Sequence, residues 1–246
     1  MTGAPVAEIF SSLAGEGPHV GRRQIFLRLA GCGVGCDYCD TPTDSEAPAQ
    51  IEREPGEVVR LANPLTVGVV LAEIRGLEER APGHAHLTVT GGEPLLYGKF
   101  LRELLPLVRE LGPPIYLETA GVHPEALPPL LPLLDVVAAD IKLPAHCGRP
   151  YWDESEKFLK ICAGAGVELL VKIVFGKRTP WNEVERALRL VHDVVPEVEV
   201  TLQPIHGPDG RPELTGDQML RAHVRASAIH PHLRVLPQVH RLLGIK

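Results

Sequence analysis

Short apolar runs alternate with amphipathic stretches along most of this chain. Residues 24–29, 86–90, 115–119, 136–140, 168–175 and 198–203 are apolar runs too short for helices and are predicted as strands, and 233–236 as a last strand or extended segment. Between them lie helical periodicities. Residues 65–80 place Val70, Ile74 and Leu77 on one face, and residues 99–111 do the same with Leu101, Leu104, Leu105 and Val108. A further helix is predicted over 154–165, ended by Gly166. Another opens at Pro180 with Thr179 as its N-cap, and another opens at the capping box Thr215-Gly216-Asp217-Gln218. Residues 124–133 form at best an irregular helix, because Pro128 and Pro129 interrupt it. The order is βα repeated about six times, with near-continuous apolar strands of the kind that helices cover in a parallel sheet. An open, partial (β/α)6 barrel is the expected architecture, ahead of a doubly wound sheet. No linker divides the chain, so residues 1–246 are expected to form a single domain. The Pro-, Glu- and Asp-containing stretch 42–64 interrupts the pattern as an insertion, a surface excursion or a lid.

Composition narrows the function. The 246 residues are 44% hydrophobic, enough for one large core, and carry a formal net charge of −6 with no dense Lys/Arg run, which argues against nucleic-acid binding. No run of 18 apolar residues suggests a membrane span, and the first residues lack the layout of a secretory signal. Five cysteines, three of them clustered, fit a reducing, cytoplasmic setting rather than a disulfide framework. Cys162 falls on the apolar face of a helical pattern and is expected to be a small buried hydrophobe; Cys147 is expected to be a free thiol in a loop.

The clustered three are Cys32, Cys36 and Cys39, spaced C-x3-C-x2-C within a loop (31–41) that follows the first predicted strand. Three thiolates hold three irons of a four-iron cluster and leave the fourth open to a ligand. Three close cysteines with a distant His or Cys can also hold a structural zinc. Gly31, Gly33 and Gly35 let the backbone wrap closely and bring N–H groups toward sulfur.

The other polar motifs end later strands. Thr90-Gly91-Gly92-Glu93-Pro94, Glu118-Thr119-Ala120-Gly121, Asp140-Ile141-Lys142 and Gln203-Pro204-Ile205-His206 all sit where a parallel βα fold carries its active site. Gly91-Gly92 offers backbone groups at close range, and Glu93 an acceptor for an ammonium group. Read alone, Gly-Gly-Glu-Pro is an ordinary strand-to-helix turn and Asp40-Thr41 a turn or N-cap.

C-x3-C-x2-C with a downstream Gly-Gly-Glu-Pro resembles the radical S-adenosylmethionine (SAM) enzymes, whose fold is also a partial βα barrel. The flanking segments Glu8 to Gly17, Phe26 to Cys32, Asp40-Thr41, Glu118 to Gly121, Asp140 to Pro144 and Gln238 to Arg241 resemble the 7-carboxy-7-deazaguanine synthase family within it. The resemblance implies a lyase with a [4Fe-4S] cluster, SAM and Mg2+ as cofactors. Its reaction converts 6-carboxy-5,6,7,8-tetrahydropterin to 7-carboxy-7-deazaguanine, by radical ring contraction with loss of ammonia, in queuosine/7-deazapurine biosynthesis. The alternative is a glycyl-radical-enzyme activase, which shares the cysteine spacing. An electron donor such as flavodoxin or ferredoxin and a homodimer are implied as well.

Residue by residue, the resemblance gives the cluster to Cys32, Cys36 and Cys39 and Mg2+ to Thr41. It sets SAM against Tyr38, Gly91, Gly92, Glu93, Asp140, Lys142 and Gln203. It sets the pterin against Leu13, Glu16, Gly17, Arg28, Thr90, Glu118, His240 and Lys246. The chemistry is reasonable on its own terms. A carboxylate (Glu16 or Glu118) accepts the paired N–H groups of a pterin edge, and a guanidinium (Arg28) suits the substrate carboxylate. Ala14 and Ala120 depart from the family's usual Gln and Asn.

Overall fold

The structure is a computed structural model that describes residues 2–39, 41–42 and 44–246. Asp40, half of the Asp40-Thr41 pair, and Thr43 in the insertion lie outside the described residues.

Among the described residues twelve strands and seven α-helices follow one another as β1 Gly3–Ala4, β2 Val6–Leu13, β3 Arg23–Leu29, β4 Ala49–Glu54, β5 Glu57–Leu61, β6 Leu65–Thr66, α1 Val67–Arg80, β7 Leu87–Gly91, α2 Gly98–Arg109, β8 Ile115–Thr119, β9 Val136–Ile141, α3 Pro144–Cys147, α4 Trp152–Ala163, β10 Glu168–Phe175, α5 Trp181–Val194, β11 Glu199–Pro204, α6 Gly216–Ser227, β12 Leu233–Val235 and α7 Val239–Leu243. The main sheet runs β12-β11-β10-β9-β8-β7-β3-β2-β4-β5, and β1 pairs with β6 separately. From β3 to β12 every neighbouring pair is parallel, whereas β2 is antiparallel to β3. The sheet curls without closing, as the partial barrel requires.

Several expectations change in detail. Residues 42–64 are no loose excursion: β4 and β5 form a hairpin that extends the sheet beyond β2, with Ala49 and Ile51 buried. Pro180, not Thr179, caps α5, and the Thr179 hydroxyl instead accepts from Gly176 N at 2.7 Å. Helix α4 ends at Gly164; Gly166 serves the turn into β10, with φ of +72°. The crossover between β8 and β9 holds only 3-10 turns at Pro124–Ala126 and Leu131–Leu133, because four prolines at and between them deny a continuous helix its donors. Cys147 lies in the one-turn α3 rather than a loop.

The strands alternate more strictly than a continuous apolar reading suggests. Ile25, Leu27, Leu29, Leu87, Val89, Ile115, Leu117, Val137, Val171, Ile173, Val200 and Leu202 belong to one continuous core with the buried faces of α1, α2, α4 and α5. The intervening positions face the barrel interior and carry its polar groups. Removing these apolar faces from water, at about 25 cal/mol per Å2, is the main stabilising contribution.

Buried imidazoles set an acid limit. His84 is held below its ordinary 6.5 by burial, against the opposing pull of Glu78 at 2.5 Å, and burial lowers His86 and His230 likewise. A histidine depressed in the fold is neutral there and takes up a proton on unfolding below pH 6.5, so its stabilisation is complete above that value and fades as pH falls through it. The urea midpoint is expected to drop between about pH 8 and about pH 5.5, and an unchanged midpoint would contradict the burial of these rings.

Candidate active site

A cavity of about 650 Å3 occupies the barrel interior. Its residues come from alternate strand positions: Gln24, Phe26 and Arg28 on β3, Thr90 on β7, Tyr116 and Glu118 on β8, Ala138 and Asp140 on β9, Leu170, Lys172 and Val174 on β10, and Thr201 and Gln203 on β11. Register makes rows of them. Glu8 pairs with Arg28 and Arg28 with Thr90, while Asp140 pairs with Lys172 and Lys172 with Thr201.

At the C-terminal ends of the strands lie Cys32, Cys36 and Cys39, all free and all lining the cavity. Gly31 and Gly35 take φ of +86° and +71°, a region closed to most side chains, and the Val34 amide donates to Cys32 Sγ at 3.4 Å. Cys147 packs beside this loop, but its thiol is directed to the carbonyls of Leu143 and Arg149 at 3.2 and 3.1 Å. Among the described residues no group of three potential ligands is already gathered as a metal site. What the loop does provide is three thiols facing one cavity and an N–H donor to sulfur, a donor set that fits an iron–sulfur cluster with an open position.

Gly91 and Gly92 also line the cavity, and contact with the cysteine loop explains both glycines. A Cβ on Gly92 would lie 2.0 Å from Gly31 O, and one on Gly91 2.0 Å from Leu29 O. The backbones are joined by Gly92 N to Leu29 O and Glu93 N to Gly31 O, both 2.9 Å. Glu93 itself departs from expectation. It has no exposure and does not reach the cavity; its carboxylate accepts from Thr119 Oγ1 (2.7 Å), Ala120 N (2.8 Å) and Leu95 N (3.0 Å). Burial raises its pKa against those three donors. Its carboxylate ties the Gly-Gly turn to the end of β8.

Asp140 and Lys142 form a 2.8 Å ion pair, with Tyr38 OH 3.4 Å from Lys142 Nζ. Burial opposes the charge on Lys142, but Asp140 and its other neighbours hold its pKa well above the ordinary value. Asp140 Oδ1 and Gln203 Oε1 are buried, line the cavity and have no hydrogen-bond partner in the protein. Unpaired buried acceptors are costly, so both are placed for donor groups on a ligand such as ribose hydroxyls or an adenine amine.

Deeper in the cavity sits a residue that sequence reasoning missed. Lys172 Nζ contacts Glu16 Oε2 at 2.5 Å and Asp140 Oδ2 at 3.6 Å. A period-2 reading of Glu168-Leu169-Leu170-Val171-Lys172-Ile173-Val174-Phe175 would have put this lone cation inside the barrel. Burial works against the charge of Glu16, but Lys172 and the Gln238 amide (2.7 Å) bring its pKa down to about 2. Burial and the nearby Glu16 raise that of Glu118, which accepts from Thr90 Oγ1 at 2.7 Å. Arg28 is held by Glu8 (3.1 Å) and reaches Thr41 Oγ1 at 3.3 Å.

Glu16 arrives from an unexpected direction. The loop between β2 and β3 leaves from the N-terminal end of β3, opposite the cysteines, and enters the open side of the barrel. His19 anchors it, edge-on to His86 and Tyr116 and 3.1 Å from Glu168. The C-terminal segment covers it: Val239 N donates to Gly15 O (2.9 Å), and a Cβ on Gly15 would fall 2.0 Å from His240 Nδ1. Ser12 Oγ donates to Lys246 O (2.8 Å), and Lys246 Nζ meets Glu8 and Glu52 at 3.2 and 2.9 Å. Thus Leu13, Glu16, Gly17, Arg28, Thr41, Thr90, Glu118, His240 and Lys246 share the cavity with Tyr38, Asp140, Lys142 and Gln203; of the expected site residues, Glu93 alone falls outside it.

The Radical SAM superfamily model matches residues 27–191. The chain is 36% identical to the 7-carboxy-7-deazaguanine synthase of Geobacter sulfurreducens over 98% of each sequence. It is 36% identical to that of Methanopyrus kandleri over 98% of this chain and 94% of the relative. The crystal structure of QueE from Escherichia coli superposes with a TM-score of 0.64 at 22% identity, covering 97% of this chain and 95% of that one, which supports the fold.

Proposed function

The chain belongs to the radical SAM superfamily and, within it, to the 7-carboxy-7-deazaguanine synthases, and from that premise we propose how its cavity divides the work. It is a radical SAM lyase that converts 6-carboxy-5,6,7,8-tetrahydropterin to 7-carboxy-7-deazaguanine by ring contraction with loss of ammonia. The activase alternative is not favoured, since these relatives match the chain end to end. Bound at the cysteine loop, a [4Fe-4S] cluster and SAM supply one-electron cleavage of a sulfonium and a radical that abstracts hydrogen from substrate.

The observation that carries the division is that the three-cysteine loop and the Glu16–Lys172–Glu118 floor open onto one cavity, so both groups of residues serve one reaction. Cys32, Cys36 and Cys39 hold the cluster. Asp140 Oδ1 and Gln203 Oε1, lacking protein donors, take hydrogen bonds from SAM beside the Gly91-Gly92 backbone and Tyr38, with Lys142 balancing the charge of Asp140. Glu16, kept ionised by Lys172, accepts the N–H pair of the pterin edge. Glu118, biased toward its protonated form and bound to Thr90, complements a polar edge of the same ring. Arg28, steadied by Glu8, faces the substrate carboxylate with His240 and Lys246. Leu13 and Gly17 complete the wall, and the Glu16 loop with the C-terminal segment excludes water from the radical. A single domain spanning 1–246, a one-electron donor such as flavodoxin or ferredoxin, a homodimer and a cytoplasmic setting belong to the same proposal. Among the described residues no helix is long and apolar enough to cross a membrane.

For Mg2+, Thr41 Oγ1 is the available hydroxyl, and its 3.3 Å contact with Arg28 is long enough to yield. Glu8, Glu16 and Glu118 are already engaged, so substrate oxygens and water would fill the rest of the shell, as this ion tolerates. Thr41→Ala is expected to leave iron content unchanged and lower the stimulation by Mg2+ severalfold; an unaltered Mg2+ response would remove Thr41 from the ligand set. The overall test is anaerobic reconstitution followed by SAM, reductant and the carboxytetrahydropterin. The deazapurine and one equivalent of ammonia are expected, whereas SAM cleavage without either overturns the substrate assignment.

A further inference from the structure

The middle of the cysteine loop has few attachments. Among the described residues, the hydrogen bonds between residues 32–39 and other elements pass through Asp37 or Tyr38. Asp37 carries most of them, and it points away from the chemistry toward a buried histidine. Asp37 N donates to His146 O at 3.0 Å, and His146 Nδ1 lies 2.8 Å from Asp37 Oδ1. On its other side His146 Nε2 lies 2.7 Å from Thr179 Oγ1, which accepts from Gly176 N at 2.7 Å. His146 is 4% exposed, and its ring meets the Tyr38 ring edge-on at 5.5 Å.

The Asp37 carboxylate can only accept, so Nδ1–H donates to it, while Nε2 meets the Thr179 hydroxyl that already accepts from the Gly176 amide. One imidazole therefore joins three segments: the cysteine loop, the one-turn helix after β9 and the loop after β10. We propose that His146, acting through Asp37, is a positioning residue that holds the cysteine loop in the shape that receives the cluster. It stands where the spacing between Cys36 and Cys39 is decided, and it sets Tyr38, the wall residue between them. Arg178, whose guanidinium reaches Asp37 Oδ2 at 2.6 Å from a largely exposed position, is an accessory. The proposal rests on the reading of Cys32, Cys36 and Cys39 as cluster ligands.

The test uses the full chain, first metal-free and then reconstituted. In metal-free protein, His146→Ala is expected to speed hydrogen exchange of peptides covering residues 32–39 about tenfold, while exchange in β7–β10 is unchanged. After reconstitution it is expected to hold less than about half the iron and sulfide of the wild type, with a broadened EPR signal for the reduced cluster. Asp37→Ala, at an exposed position, tests the same link from its other end should His146→Ala misfold by circular dichroism. Asp37→Asn keeps an acceptor for Nδ1–H and is expected to retain iron, which separates a tether from a charge effect. Unchanged loop exchange and full iron loading in the folded Ala variants would overturn the proposal. The wild type keeps the premises distinct: failure to take up iron rejects the ligand reading, while iron uptake and SAM cleavage without deazapurine reject only the substrate reading.

Discussion

Cys36→Ala yields a folded chain that cannot hold an intact four-iron cluster and forms deazapurine below detection. Cys36 is the middle ligand of the trio and lies half-buried on Val34, Ala120, Val122, Cys147 and Tyr151. Losing its sulfur leaves two thiolates for four irons, and the neighbouring Cys147 thiol does not replace it, because it is directed to two carbonyls. The cavity beside Cys36 absorbs the lost volume, so the melting temperature of the metal-free protein stays close to that of the wild type. Iron analysis and visible absorbance after anaerobic reconstitution give the answer, with Cys147→Ala in parallel. Cys147→Ala is expected to load normally. Full loading of Cys36→Ala, or loss of iron from Cys147→Ala, would mean that a different ligand set holds the metal and would undo the open-iron chemistry.

The features legible in the sequence are those whose physics is local. Ile115–Thr119 and Glu168–Phe175 are strands at the bounds the apolar runs predict, and the Thr215/Gln218 capping box opens α6 as its spacing requires. The cysteine spacing and the strand-end motifs likewise announce a site, since ligand count and loop position follow from chain order alone. What was not legible depends on distant partners. Strand β2, with Glu8, Ser11 and Ser12 among its apolar residues, lacks a clean pattern because one side of it faces the cavity and the C-terminal segment. The β4–β5 hairpin reads as loop because an edge carries charge on both faces. That Thr119 and Ala120 donate to the Glu93 carboxylate depends on the end of β8 coming beside the Gly-Gly turn, which chain order does not report. Glu16 enters beside Lys172 only because the loop after β2 turns into the barrel's open side, which no window along the chain reports.

Lys172→Met has the second large effect, and it separates stability from chemistry. Lys172 is the cation between Glu16, Asp140 and Glu118. Without it Glu16 keeps the Gln238 amide and the weaker pull of His240, and the burial that opposes its ionisation is no longer outweighed. Breaking such a pair costs about 2–3 kcal/mol, below the roughly 3–5 kcal/mol of fully buried pairs because both side chains are about a fifth exposed. The sign with pH is fixed. In the wild type, Glu16 stabilises above its unfolded value of 4.5 and that contribution is lost as pH falls toward about 2. In the variant its carboxyl titrates above the unfolded value, so the native state takes up the proton first and the penalty relative to wild type shrinks as pH falls from about 8 to about 5. Glu16→Gln added to Lys172→Met removes the orphaned charge and is expected to restore most of the urea midpoint, while kcat/KM stays about 100-fold or more below wild type because the pterin edge has lost its acceptor. SAM cleavage without pterin is expected to persist in both variants, since Asp140 retains Lys142. Equal destabilisation of Lys172→Met at both pH values, with no recovery in the double variant, would show that the two groups are not coupled and that the acceptor for the substrate edge lies elsewhere on the cavity wall.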